Sequence, residues 1–185
     1  MFDRLLPDKI ETERLVLRRP RKDDAAAFFA YAGGEQVGPM AGWEPHRNIR
    51  QTKNIIRYYQ QEGNVLAITL KGEDVMIGTV GLHKDEHRPP SVSYQLGYAL
   101  SPDYRHRGIA TEAAKAVVKY AFETHLFRIL TAYCYPENEP SAKLLESLGF
   151  VREGRLRNAY LLYDGTLHDL DCFSLKIEEY IAKNY

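Results

Sequence analysis

Six residues, Arg105-His106-Arg107-Gly108-Ile109-Ala110, set cationic side chains and a glycine just before a long alanine-rich stretch. Read as a helix running to about His125, that stretch places Ile109, Ala113, Ala116, Val117, Tyr120 and Ala121 on one face. The first turn of a helix has backbone N–H groups with no acceptor inside the helix. The aligned peptide dipoles add partial positive charge there. An anion at such a turn is bound by the backbone itself, and Arg105 and Arg107 can add charge from the sides. The chemistry expected is capture of a phosphate-bearing ligand. Neither Gly-x4-Gly-Lys-Ser/Thr nor Gly-x-Gly-x-x-Gly occurs in the chain, so the common nucleotide fingerprints are excluded.

A second group lies downstream. Asn138-Glu139-Pro140-Ser141 reads as a helix start with proline in its first turn, and Gly149 stops that helix after Leu148. It places an amide and a hydroxyl at one helix end. A third candidate region, Gln36 to Arg47, shows no period and mixes Gly38, Pro39, Met40, Gly42, Pro45 and His46 with Trp43, the only tryptophan. Loops of that kind line binding sites, or else their large apolar residue caps a core edge; the residues alone leave both readings open for Trp43.

The elements that must position these groups follow from periodicity. Glu13 to Arg19 is expected as a strand and Lys22 to Ala32 as a helix, with Asp23 and Asp24 in a first turn where the dipole favours acids. Asn48 caps a second helix to Gln61, in which Ile49, Thr52, Ile55, Ile56 and Tyr59 repeat at three and four. Three strands, Asn64 to Leu70, Val75 to Leu82 and Ser91 to Leu100, follow as an antiparallel meander. Beyond the anion turn and its helix, Arg128 to Tyr135 is a buried-type strand, and strand-helix-strand implies a parallel pair. After the Asn138 helix come a strand from Phe150 to Tyr163, a turn at Asp164-Gly165 and a last strand from Leu167 to Leu175. The expectation is one α+β domain over residues 1–185, with a mixed seven-stranded sheet and about four helices.

Bulk properties exclude several classes. At 185 residues and 44% hydrophobic, the chain can bury a core. Lys plus Arg and Asp plus Glu are both 25, so nothing favours nucleic acid as a partner. No apolar run approaches the ~20 residues of a membrane helix, and Met1 to Pro7 is too short and charged for a signal peptide. Cys134 and Cys172 have no metal-ligand spacing and fit reduced thiols, so a cytoplasmic, metal-free protein is expected. The last hairpin is expected to be exposed and offers a surface for a homodimer.

With this element order, Arg105-x-x-Gly108-x-Ala110 after the fourth strand resembles the GNAT superfamily of acyl-CoA-dependent N-acyltransferases. Asn138-x-x-Ser141 followed by Leu148-Gly149-Phe150 is similar to the stretch those enzymes carry after the fifth strand. Glu11-Thr12-Glu13-Arg14-Leu15, Leu17-Arg18, Gly97-Tyr98, Glu153-Gly154, and Asp164-Gly165 followed by His168-Asp169 resemble the RimJ/RimL-like branch. The resemblance spans nearly the whole chain.

It implies that the anion is the pyrophosphate of acetyl-CoA, used as cosubstrate without a metal. Arg105, His106, Arg107, Gly108, Ile109, Ala110 and Thr111 would hold it. The backbone of Tyr98, Ala99 and Leu100 would run beside the pantetheine arm, whose amides need partners. Asn138 and Ser141 would meet the thioester end. The reaction implied is direct attack of a primary amine on the thioester, which needs positioning, a base for the amine and an acid for the leaving thiolate. Ser141 is the favoured acid candidate, or its hydroxyl serves only backbone in the first helical turn; Tyr135, Tyr160 and Tyr163 are other candidates, or they pack as strand tyrosines do. Asn138 either contacts CoA or is a plain cap. For the base, related chains often carry Glu in the fourth strand where this one has Gln95. Glu44, His46, His83 and Glu86 could act through water. Glu112 is expected to make local hydrogen bonds. Trp43, Tyr94, Tyr160 and Tyr163 are expected to face the acceptor, a protein N-terminus such as that of a ribosomal protein or a small amine. The alternative is a CoA-binding regulatory module without catalysis.

Overall fold

In a computed structural model, residues 5–89, 92–125 and 127–184 are described. The expected strand start at Ser91 and the Pro90 break lie outside them. The chain forms two compact units by internal contact, Met1–Leu82 with Tyr98–Val117, and His83–Gly97 with Val118–Tyr185.

The first unit holds strands β1 (Lys9–Glu11), β2 (Leu15–Arg18), β3 (Val65–Leu70) and most of β4 (Gly78–Lys84), paired antiparallel in that order. It also holds helices α1 (Ala25–Ala32) and α2 (Ile49–Glu62), the last residues of β5 (Ser93–Leu100) and the start of α3 (Ile109–His125). The antiparallel pairing of β3 with β4 is as expected. β4 begins at Gly78 rather than Val75, although Ile77 N–H still donates to Ile68 O at 2.9 Å. Asn48 caps α2 by accepting from Gln51 N–H, and Gly63 ends it with φ 64°. Phe28, Tyr31, Ile56, Ala67, Met76 and Ala99 form the core, with Trp43 and Tyr59 packed against it.

One acid changes meaning. Asp24 ends a 3₁₀ turn, Lys22–Asp24, and α1 starts after it. Its carboxylate is buried in a two-pronged pair with Arg18, at 2.7 and 2.8 Å, and also accepts from Arg21 N–H at 2.6 Å. Asp24 therefore clamps β2 to the helix entry through charge-assisted bonds.

The second unit holds the start of β5, then β6 (Ile129–Cys134), α4 (Glu139–Leu148), β7 (Val151–Leu161), β8 (Leu167–Lys176) and α5 (Ile177–Asn184). β5 and β6 are parallel, with Ser93 to Gln95 opposite Ile129 to Thr131. β6 pairs antiparallel with β8, and β8 with β7.

Among the described residues, eight strands and five α-helices replace the seven and four expected. The extra strand is β1, three residues whose pairing with Arg18 to Val16 gives no periodic signal. The extra helix is α5, which follows β8 with no breaker between Lys176 and Ile177. Its Tyr180 ring stacks on Phe122 at 5.0 Å.

A carboxylate organises this unit's interior. The Asp85 side chain is fully buried and accepts from His87 N–H (2.9 Å), Ser93 Oγ (2.8 Å), Thr131 Oγ1 (2.8 Å) and Tyr133 OH (3.0 Å). Arg88 Nη1 stands 3.7 Å away.

Candidate active site

The anion turn lies in the first unit and is built by unusual backbone. A 3₁₀ turn, Pro102–Tyr104, leads to extended Arg105. His106 has φ 60° and Gly108 φ 72°. Gly108 O accepts from Glu112 N–H at 3.0 Å, so α3 begins directly after the glycine. The first N–H groups of α3, at Ile109, Ala110 and Thr111, are those that helix geometry leaves without an acceptor. Arg105, His106, Arg107 and Gly108 are exposed, whereas Ile109 is buried and anchors the helix.

The turn is braced from behind. Glu112 Oε1 accepts from Thr12 Oγ1 at 2.6 Å and from Arg14 N–H at 2.9 Å; its Oε2 pairs with Arg14 Nε at 2.6 Å. Arg14 Nη1 donates to Arg107 O at 3.0 Å. Burial alone would push the Glu112 carboxyl up, but the donors from Thr12 and Arg14 hold it below the usual range. Glu112 thus bonds partners far away in sequence rather than the local ones expected, and its charge is matched by Arg14.

The two turn arginines have separate duties. Arg105 donates to Gln36 O at 2.9 Å and so ties down the loop after α1. The Arg107 guanidinium lies 5.4 Å above the Tyr104 ring. A cavity of about 600 Å³ sits beside this turn, with Tyr31, Gln36, Met76, Ser101 and Tyr104 among its lining. These residues fit a pyrophosphate: backbone donors at a helix start, a glycine in the left-handed region and two exposed cations.

β5 carries the strand residues expected beside the arm. Ala99 and Leu100 are buried and Tyr98 is half-buried. A Cβ on Gly78 would meet Ala99 O at 2.5 Å, so the glycine lets β4 approach β5 closely. Trp43 is also in this unit. Its ring lies against Gly38, where a Cβ would come within 2.9 Å, and its Nε1 is buried with no hydrogen-bond partner among the described residues. His46 is buried, bonds Thr52 Oγ1 through Nδ1 at 3.0 Å and meets Phe28 edge-on; Glu44 pairs with Arg47 at 2.8 Å.

The second unit holds Asn138, Ser141, Tyr94, Tyr160 and Tyr163. Asn138 caps α4, its side chain accepting from Ser141 N–H at 3.2 Å. The Ser141 hydroxyl meets the Cys134 thiol at the end of β6. Burial pushes that thiol up to about 11, with Asp171 adding to the rise and Ser141 opposing it. Cys134 is therefore a neutral thiol at physiological pH and no nucleophile. Tyr94 packs on Phe127, ring centres 4.7 Å apart. Tyr160 stands opposite His168 in the β7–β8 ladder, and Tyr163 lies in the exposed hairpin turn closed by Gly165 (φ 87°). His83 is half-buried against Gly97, and Glu86 is exposed.

Sequence reasoning missed Asp85 and His168 as organising residues. The sequence signal at the histidine was the Asp164-Gly165 turn followed by His168-Asp169, which marks the hairpin but not the bond between Thr166 and His168.

Known proteins share this family and fold. Residues 14–151 match the family model described as an acetyltransferase (GNAT) domain. An uncharacterised N-acetyltransferase, YoaA, of Bacillus subtilis is 31% identical over 173 residues, covering 90% of this chain and 95% of its own. The [ribosomal protein uS5]-alanine N-acetyltransferase of Escherichia coli is 28% identical over 172 residues, 87% of each chain. The crystal structure of a GNAT-family acetyltransferase from Bacillus anthracis superposes with a TM-score of 0.83 at 26% identity, over 92% of this chain and 99% of that one. The glycine turn that opens α3 and the capped start of α4 thus sit in a chain that belongs to the GNAT acetyltransferase family.

Proposed function

We propose that the chain acts as one cytoplasmic N-acetyltransferase domain of the RimJ/RimL-like kind, moving the acetyl group of acetyl-CoA to a primary amine. The observation that carries this is the braced turn from Arg105 to Thr111. It presents backbone donors and Gly108 in the left-handed region, while Glu112 is neutralised by Arg14. The pyrophosphate of acetyl-CoA is the anion that suits it. Tyr98, Ala99 and Leu100 supply main-chain partners for the arm.

The chemistry is direct attack. The amine must be neutral to attack, and the departing thiolate must gain a proton. An α-amino group, with pKa near 7.7–8.0, gives up its proton more readily than a lysine near 10.4. That favours a protein N-terminus as acceptor, in keeping with the uS5-directed relative. Ser141 is the acid in this scheme. A hydroxyl that already meets the Cys134 thiol supports this reading. Ser141→Ala should lower kcat by about 10²-fold and leave acetyl-CoA affinity within about threefold. Stopped assays of free thiol together with titration calorimetry measure both; full activity in the variant removes Ser141 as acid.

Gln95 favours one second reading, a CoA-binding regulatory module without catalysis. An acceptor screen separates the two: N-terminal peptides of ribosomal proteins, polyamines and aminoglycosides, each with acetyl-CoA, scored by acetylated product and free thiol. Product with any amine establishes the transferase. Acetyl-CoA binding without product from any of them supports the module.

A further inference from the structure

Acetyl transfer needs a proton acceptor for the amine, and the Gln95 amide cannot supply one. We infer that His168 is that acceptor, through Nδ1; this rests on the acetyl-transfer reading above. Thr166 Oγ1 lies 2.6 Å from Asp164 Oδ1, which also accepts Thr166 N–H at 2.9 Å. Hydrogen bonds from the Thr166 hydroxyl and its N–H hold the Asp164 carboxyl below its ordinary range, so it is ionised and only accepts. The single hydrogen of the Thr166 hydroxyl is committed to Asp164. His168 Nε2 lies 2.8 Å from the same Oγ1. With its hydrogen spent, the hydroxyl can only accept there, so Nε2 carries the imidazole hydrogen. A neutral imidazole has one, and Nδ1 is left with the lone pair.

The surroundings suit a cation on either side of the transfer. Nδ1 stands 3.9 Å from Glu137 Oε1, too far for a hydrogen bond. The Tyr135 ring lies 4.8 Å from the imidazole, and Tyr160 is 6.1 Å from Tyr135. The groups that face His168 are thus two carboxylates, Glu137 and Asp164, the hydroxyl of Thr166 and two aromatic rings. An ammonium is attracted by ring faces as well as by carboxylates. The Tyr135 hydroxyl is buried without a hydrogen-bond partner among the described residues, and burial pushes it up to about 12, so it stays neutral.

The step balances. The acceptor ammonium gives one proton to Nδ1, and its lone pair forms the C–N bond at the acetyl carbon. The C–S bond breaks, and the second nitrogen proton ends on the departing sulfur through the acid. His168 then returns its proton to water. Asp164 and Thr166 act as positioning residues that fix the tautomer.

The test measures kcat, KM and their pH dependence at saturating acetyl-CoA, with the amine that the unaltered protein turns over. His168→Gln should lower kcat by about 10²-fold or more, keep acetyl-CoA affinity within about threefold and flatten the rising limb of the pH profile. Added imidazole should restore part of the rate in His168→Gly. Thr166→Val should show a smaller kcat loss with the limb displaced. Nitrogen-15 shifts of His168 should report hydrogen on Nε2. Activity within threefold of normal with an unchanged pH profile in His168→Gln overturns the inference, and so does a hydrogen on Nδ1. If the unaltered protein binds acetyl-CoA yet acetylates no amine, the transferase reading itself fails and the role of His168 falls with it.

Discussion

Gly108→Glu should leave a folded protein that no longer binds acetyl-CoA. Two effects act at this position, and their sizes differ. Any side chain at φ 72° costs about 1–2 kcal/mol, and a Cβ there comes no closer than 3.4 Å to Arg14 Nη2, ordinary contact that the exposed arginine can relieve. That cost falls within the 5–15 kcal/mol of a typical domain, so the fold should survive it. The carboxylate, in contrast, would stand at the site proposed for the pyrophosphate, against the same backbone donors. In the unaltered protein, acetyl-CoA at 100 times its Kd should stabilise by about 2.7 kcal/mol, a rise in Tm of roughly 5–10 °C for a chain of this size. The variant should show no rise, and calorimetry should find affinity lowered more than 100-fold. Gly108→Ala separates the effects, because it adds the strain without the charge and should keep most of the affinity. Unchanged affinity in Gly108→Glu would remove the pyrophosphate from this turn.

The turn was legible because its signals are local. A glycine followed by an alanine-rich apolar face marks a helix start whatever the surroundings, and Asn48, Asn138 and Gly149 mark ends in the same way. The parallel pair of β5 and β6 followed from strand, helix and strand in order. What escaped is what depends on partners distant in sequence. β1 is a strand only because Lys9 to Glu11 find Arg18 to Val16. Asp24 reads as a helix-dipole acid until Arg18 is seen to bury itself against it. The identity of Glu112 as the anchor of Arg14 and Thr12 spans about a hundred residues. The His168 tautomer is intermediate: its partners are near in sequence, but only the distances show which hydrogen is already spent.

Asp85 is the most distant-dependent of these, and its removal carries the largest expected loss of stability. Nothing around Asp85 in the sequence connects it with Ser93, Thr131 or Tyr133. In the folded chain four donors converge on it, and its side chain is fully buried. Asp85→Ala leaves each donor facing a void, together with Arg88 at the edge. An orphaned buried polar group costs about 1–3 kcal/mol, and breaking a buried charged cluster about 3–5 kcal/mol in total. Asp85→Asn keeps the shape but turns an NH₂ toward groups that already donate, so it should recover little. The acidity of the site gives a second readout. Burial pushes the Asp85 carboxyl up, but bonds from His87 N–H, Thr131, Ser93 and Tyr133 outweigh it and hold the group below its ordinary value. A carboxyl whose folded pKa is depressed binds fewer protons folded than unfolded, so it stabilises the fold above the unfolded pKa near 3.9. That contribution is lost as pH falls through the lower folded value. Urea unfolding of the unaltered protein and Asp85→Ala should therefore differ by a constant few kcal/mol from about pH 5 to 7, and the gap should close below about pH 4. A gap that stays constant down to pH 3 would mean that packing, not the ionised carboxylate, holds Ser93, Thr131 and Tyr133 together.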